Sequence, residues 1–468
     1  MNKRAISKMA AGIIVVVVVI AIVAVAFFLM PQPSPPTTTP PTTTTSPTTT
    51  GPKGTIRIYM EDMVETDYLE EILPEFEEST GIDVIIERAS YEVMHEKLVT
   101  VFKSTTGYYD VIIVDNPWVA EFVEAGWLVP LDDFIAEHPE LNVDDYLPSL
   151  WWTVGKYWKD GKVYMLPWYN YALALMYRND LISEPPKTWE EFYQLAQELT
   201  NPDEDFYGVA AQARRGYKVV EEGLNYVYGF GGNVFDETLR PAIASQEAVD
   251  ALFLYGKVVW ETAPPGAINW EFDEAFEAAQ SGHAAMMITY NWMIGALNNP
   301  EKSQTAGKWS VATVPGGFAV LGAWGWAIPH NAPNKDLAFE FLAWVAKPET
   351  EKELAMLGHA PTRKSTFFDE DVNSKFPYMK TLYDVVLNSL PIVPPVTVGE
   401  QIVHILGRYF SDALMKVKDY LDGKISEDEA KNAIMELLQA AASEIEEVMT
   451  EEGYYETTVT LPPPWGPG

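Results

Sequence analysis

Between residues 55 and 114 the hydrophobic period switches repeatedly between two and 3.6, and that alternation restricts this chain more than any other feature. Residues 55–60 have the composition of a strand, and Leu69, Ile72, Leu73 and Phe76 recur at helical spacing before Gly81, a residue suited to close a helix. A second strand is predicted at 82–86 and a second helix through Met94, Leu98, Val101 and Phe102. Residues 111–114 (VIIV) then form a continuous apolar run of the kind buried on both faces of a sheet. A βαβαβ order needs crossover connections, so the expected sheet is parallel. Ligands of such sheets gather beyond the carboxyl ends of the strands. Here those ends carry Glu61 and Asp62 after the first strand and Asp115, Asn116, Pro117 and Trp118 after the third.

The pattern changes at 161–167, a turn and short strand, followed by Trp168, Tyr169, Asn170, Tyr171 and the apolar run 172–177. Pro185 and Pro186 stop the chain before Thr188, which has Glu191 at its third following position and so predicts a capped helix. Helical spacing dominates from there to about residue 300. Strand-like composition returns at 310–314 and 322–329, and the remainder is helical except at 358–363 and 391–395. The tail, 461–468, reads as disordered.

Residues 10–30 contain no polar side chain, enough for the ~20 residues that cross a bilayer as a helix, and Lys3, Arg4 and Lys8 precede them. Positive-inside logic puts the rest of the chain outside the cell. Arg4, Ala5, Ile6 and Ser7 resemble the site cut in archaeal prepilin-like signal peptides, whereas an uncut signal anchor is the alternative; the apolar helix is retained in both. Residues 31–53 are almost entirely Pro and Thr and form a stalk, extended at ~3.1 Å per residue and suited to O-linked sugar.

Composition narrows the function. A net charge of −35 repels phosphate backbones and argues against nucleic acid as a partner. Glu outnumbers Asp beside 47% apolar residues, which fits a thermophile's charged surface better than salt adaptation. With no cysteine, disulfides, thiol nucleophiles, thiolate metal sites and a lipidated-cysteine anchor are all excluded. The sequence lacks GxxxxGK[ST], HExxH, GxSxG and a GxGxxG after a strand. His95 and His404 fall within helical segments and read as structural. Asp203, Glu204 and Asp205 lack the spacing of a calcium loop. No cofactor or metal is expected.

What remains is a set of rings and polar groups at segment ends: Trp118, Trp168, Tyr169, Tyr171, Trp292 and Trp324, with Glu61, Asp115 and Arg363. Sugars offer apolar C–H faces and a rim of hydroxyls, so a site for them stacks rings and aims carboxylates and guanidinium groups. For any single Trp, core packing competes with this reading; Trp127, Trp189 and Trp344 read as core.

The order of segments resembles the maltose- and maltodextrin-type extracellular solute-binding proteins of ABC transporters. The most specific stretch is 160–191, DGKVYMLPWYNYALALMYRNDLISEPPKTWEE. Further matches are YYDVIIVDNPWVAEFVEAGWLVPLDDF (108–134), FEAAQSGHAAMMITYNW (276–292), GAWGWAIPHNAPNKDLAFEFLAWV (322–345) and GHAPTRKS (358–365). The resemblance covers residues 55 to about 448. It implies an α/β fold of two lobes joined by strand crossovers around a ligand cleft, with an amino lobe at 55–168 and 314–360, a carboxyl lobe at 173–310 and 364–450, and a tail at 451–468. It also implies hydroxyl acceptors at Glu61 and Asp115, cleft rings at Trp168, Tyr169 and Tyr171 on the first crossover, a stacking ring at Trp292, Trp324 after a glycine pair that here is Gly322 and Ala323, and Arg363 on a third crossover. Such a protein is a monomer that captures a sugar and presents it to an ABC permease without acting as an enzyme. Two other readings stay open: a glycoside hydrolase using Glu61 and Asp115 as its carboxylate pair, and a surface adhesion module, which explains the stalk but not the rings. Peptide and polyol ligands also remain open.

Overall fold

The computed structural model describes residues 53–456 and 461. The apolar run, the Pro/Thr stalk and most of the tail lie outside the described residues. Leu461 is buried, and its N–H donates to Glu237 O at 2.8 Å. Among the described residues no helix is long and apolar enough to cross a membrane.

The opening βαβαβ unit forms as its periodicity predicts. Strand β1 (Gly54–Glu61) leads to helix α1 (Val64–Thr80), β2 (Ile82–Ala89), helix α2 (Tyr91–Lys103) and β3 (Val111–Asp115). Helix α1 ends at Gly81, whose φ of 73° is the left-handed conformation that glycine adopts without strain, and the Gly81 N–H closes onto Glu77 O. β1 pairs in parallel with β2 and β3, Ile58 lying opposite both Ile86 and Val111. These residues are apolar and largely enclosed, as expected of a sheet covered on both faces.

The expectation of an all-parallel sheet is corrected. The first sheet has the order β2-β1-β3-β10-β4, and β10 (Ala323–Ala327) runs antiparallel to both β3 and β4 (Leu166–Asn170). The reason is topological. After β4 the chain leaves for a second sheet made of β5 (Leu173–Arg178), β6 (Tyr207–Val209), β7 (Ala284–Tyr290) and β8 (Trp309–Ala312), in the order β6-β7-β5-β8. It returns through β9 (Ala319–Val320) to β10 from the opposite end, and β9 also pairs in parallel with β11 (Ser389–Leu390).

Helices surround the second sheet. Helix α3 (Trp189–Leu199) starts with the capping box foreseen at Thr188: the Glu191 N–H donates to Thr188 Oγ1 at 3.2 Å, and the Thr188 N–H donates back to Glu191 Oε2 at 3.3 Å. Helix α4 (Tyr217–Gly229) is almost wholly enclosed, and α5 (Gly399–Leu421) and α6 (Glu427–Glu451) close the chain. Trp189 is core as read, stacked on Tyr226 at 3.8 Å between centroids.

Two short segments link the sheets. The Tyr171 N–H donates to Gly322 O at 2.8 Å, and the Asn291 N–H donates to Ala172 O at 2.9 Å. Asn170 Nδ2 donates to Pro361 O at 2.6 Å, which ties the first link to a third segment. At Gly322 a Cβ would meet the Tyr171 ring at 1.6 Å, so glycine is the residue that lets the two links pass.

Candidate functional site

A cavity of about 500 Å³ opens where the strand ends of the two sheets meet. That volume lies within the ~300–1,000 Å³ of small-molecule sites. Its first wall is built by strand ends: Glu61 closes β1, Asp115 closes β3, and Tyr91 opens α2 just beyond β2. Its floor is the pair of links, with Tyr169, Tyr171, Leu321 and Trp324. β-Pairing sets this floor directly, since Trp324 lies opposite Asp115 on one side and Tyr169 on the other. The second wall holds Tyr290 and Trp292 at the end of β7, with Tyr217 and Lys218 at the start of α4. Ile392, Val393, Glu400, Val403 and His404 complete the enclosure.

The rings are arranged rather than scattered. Trp292 lies parallel to Tyr290, 6° between planes, and Tyr290 meets Tyr171 edge-on at 87°. Tyr91 is 39% exposed and Tyr217 43%, which places apolar ring surface at the cavity rim where a solute could cover it.

The two acids are held in unusual states. Asp115 is buried, and its Oδ1 accepts the Asn116 N–H at 2.8 Å and the Tyr171 hydroxyl at 2.6 Å. Burial pushes its carboxyl up to about 7, against the pull of Tyr171, Tyr91 and the Asn116 N–H. Burial pushes Glu61 up to about 8, with the charges of Asp115, Glu65 and Glu92 adding to the rise. Lys218 is already engaged: its ammonium donates to Glu221 Oε2 at 2.6 Å and to the Tyr290 hydroxyl at 2.6 Å.

Of the residues singled out in the sequence, Glu61, Asp115, Tyr169, Tyr171, Trp292 and Trp324 are brought together around this cavity. Three are not. Trp118 is buried one layer behind, under Tyr91 at 5.3 Å and edge-on to Trp324 at 5.4 Å, because the turn after β3 winds its ring back toward α2. Trp168 alternates with Tyr169 along β4 and so points to the opposite face, into a core of Trp326 at 4.6 Å and His359 at 4.3 Å. Arg363 is fully buried away from the cavity. It donates to Ala346 O at 2.6 Å and Asn142 O at 2.9 Å and lies over the Tyr146 ring at 3.8 Å. It fastens the third linking segment to its neighbours. His404, read as structural, is exposed on α5 and borders the cavity one turn after Glu400.

Tyr91, Tyr217, Lys218, Tyr290 and Glu400 were missed. Tyr91 was within reach of the strand-end rule, because it directly follows the carboxyl end of β2. For Glu400 and His404 the sequence holds no signal beyond an amphipathic helix.

Two sheets bridged by linking segments, with a ring-lined cavity between their strand ends, define a two-lobed α/β carrier of small solutes. The chain belongs to the family of bacterial extracellular solute-binding proteins, whose model matches residues 62–352. A solute-binding protein of an ABC transporter from Agrobacterium radiobacter, solved in complex with ribitol, is 28% identical, with a TM-score of 0.70 over 84% of this chain and 98% of that one. The maltose-bound T. maritima MalE3 protein is 26% identical, with a TM-score of 0.68 over 82% of this chain and 99% of that one. A Sinorhizobium fredii protein named as a probable amino-acid ABC transporter periplasmic-binding protein is 24% identical over 74% of this chain and 80% of its own length.

Proposed function

We propose that this chain is the substrate-binding component of an ABC importer, tethered to the outer face of the cell, and that it captures a di- or oligosaccharide or a related polyol for the permease. The observation that carries this reading is the cavity itself, where Trp292, Trp324, Tyr171 and Tyr290 line the same space as the hydroxyl acceptors Glu61 and Asp115. Such a wall suits a solute with apolar C–H faces and polar edges. Relatives in complex with ribitol and with maltose support the same class. A free amino acid fits less well, because its carboxylate would face Glu61 and Asp115 while Lys218 is already paired with Glu221.

The lobes are assigned as 55–168 with 314–360 and 173–310 with 364–450. Ligand contacts from both walls exist together only when the lobes are closed, so binding selects that arrangement. No bond is made or broken. The test is a sugar and polyol panel against the full-length protein, read by tryptophan emission and melting temperature. A ligand at ~100 times its dissociation constant stabilises by about 2.7 kcal/mol. A panel that moves neither signal defeats the carbohydrate reading, and new reducing ends from maltodextrin would make the protein a hydrolase instead.

A further inference from the structure

The charges around the cavity are one-sided. Among the described residues its lining carries the carboxyl groups of Glu61, Asp115 and Glu400, one histidine, His404, no arginine, and Lys218 as a partner of Glu221 and Tyr290. The two cations of β2 and α2 nearest this wall in sequence are committed elsewhere. Arg88, at the end of β2, is bound to Asp62, Asp67 and Glu70, and Lys97 of α2 is bound to Glu87. Glu65 and Glu92 add negative charge toward Glu61, and Glu221 adds it toward Asp115. A desolvated carboxylate with no cation beside it is unfavourable, and in the free protein a proton relieves it, in keeping with the raised carboxyls of Glu61 and Asp115; a ligand cation would take that proton's place. A hydroxyl of a neutral sugar relieves it by one ordinary hydrogen bond. An ammonium group relieves it with charge and several donors, in short charge-assisted bonds. The same surroundings supply what a cation needs on its other sides, the rings of Tyr91, Tyr171 and Trp292, which attract positive charge through their quadrupoles, while Tyr290 already carries the Lys218 ammonium over its ring. Anionic solutes, such as uronic acids and sugar phosphates, are disfavoured by the same field.

We propose that the cavity selects an amine-bearing saccharide or polyol, whose protonated amine is received by Glu61 and Asp115 while its hydroxylated carbon skeleton stacks on the ring walls. The proposal rests on the carbohydrate reading of the cavity and adds a charge to the solute.

The test uses matched pairs that differ only in amines replacing hydroxyls: one in glucosamine against glucose and in glucamine against sorbitol, and two in the β-1,4-linked glucosamine disaccharide against cellobiose. Each is titrated calorimetrically into the full-length protein at pH 7 and low ionic strength. The expected result is that in at least one pair the amine binds tenfold or more tightly than its neutral partner, and that the preference shrinks with added salt. Glu61→Gln and Asp115→Asn should each reduce it, the pair together to parity. If either variant fails to fold, the wild-type comparison decides alone. Neutral members binding as tightly as the amines, or more tightly, overturns the proposal and leaves the carbohydrate reading standing. A panel in which nothing binds overturns both.

Discussion

Trp292 and Trp168 are the same side chain in two physical situations. Trp292 is half-buried at the end of β7 and lines the cavity, whereas Trp168 is packed between Trp326 and His359. A stacking ring contributes ~1–3 kcal/mol to a ligand if sugars follow the energetics of base stacking, while emptying a core aromatic site costs ~3–5 kcal/mol of stability. Trp292→Ala should therefore weaken binding by roughly 5- to 150-fold with little change in melting temperature. Trp168→Ala should lower stability while the folded fraction keeps its affinity. Titration and thermal denaturation of both variants check this, and equal destabilisation would place Trp292 in the core as well. Residue chemistry alone does not separate the two: both follow apolar segments and both neighbour polar groups. What separates Trp168 from Tyr169 is strand alternation, and one residue of phase decides which of them meets the cavity.

Helix α1 shows how an element constrains a group it carries. Glu65 is the second residue of the helix, where backbone N–H groups and the helix dipole favour an anion. Yet its carboxylate is buried and both oxygens lack a hydrogen-bond partner among the described residues. Burial prevails and pushes its carboxyl up to about 7, against its own backbone N–H and with Asp67 adding to the rise. The folded protein thus binds this proton more tightly than the unfolded chain, whose Glu titrates near 4.3. Stability from this group is full below about pH 4, declines as pH rises toward 7, and stays low above it. Glu65→Gln removes the titration, so relative to wild type it should gain on the order of 2–3 kcal/mol between pH 4 and pH 8. Denaturant unfolding at both pH values measures it, and a constant difference between variant and wild type would show that Glu65 is ionised throughout. The element itself was legible, its apolar positions and closing Gly81 standing at the predicted spacing. The state of Glu65 was not, because that depends on what covers the first turn of the helix.

On the scale of the whole molecule, the net charge of −35 and the segment at 10–30 bear on where the carrier works. The proposed tether requires that the apolar run at 10–30 be retained in the mature protein, the sequence holding no cysteine for a lipid anchor. Full-length protein should sediment with membranes at high salt, dissolve in detergent, and release its folded part on proteolysis within 31–53. A mature terminus after Met30 would show that the apolar run is removed and the tether does not exist. The alternation of strand and helix through residue 115, the cap at Thr188 and the strand-end acids Glu61 and Asp115 could be read from the sequence alone, because periodicity, capping and strand ends are properties of neighbours along the chain. Local pattern did not disclose the reversed direction of β10, the burial of Trp118, Trp168 and Arg363, or the arrival of Glu400 and His404 at the cavity. Each depends on which distant segment comes to lie opposite, and that is settled only when two sheets built from interleaved pieces of the chain pack together.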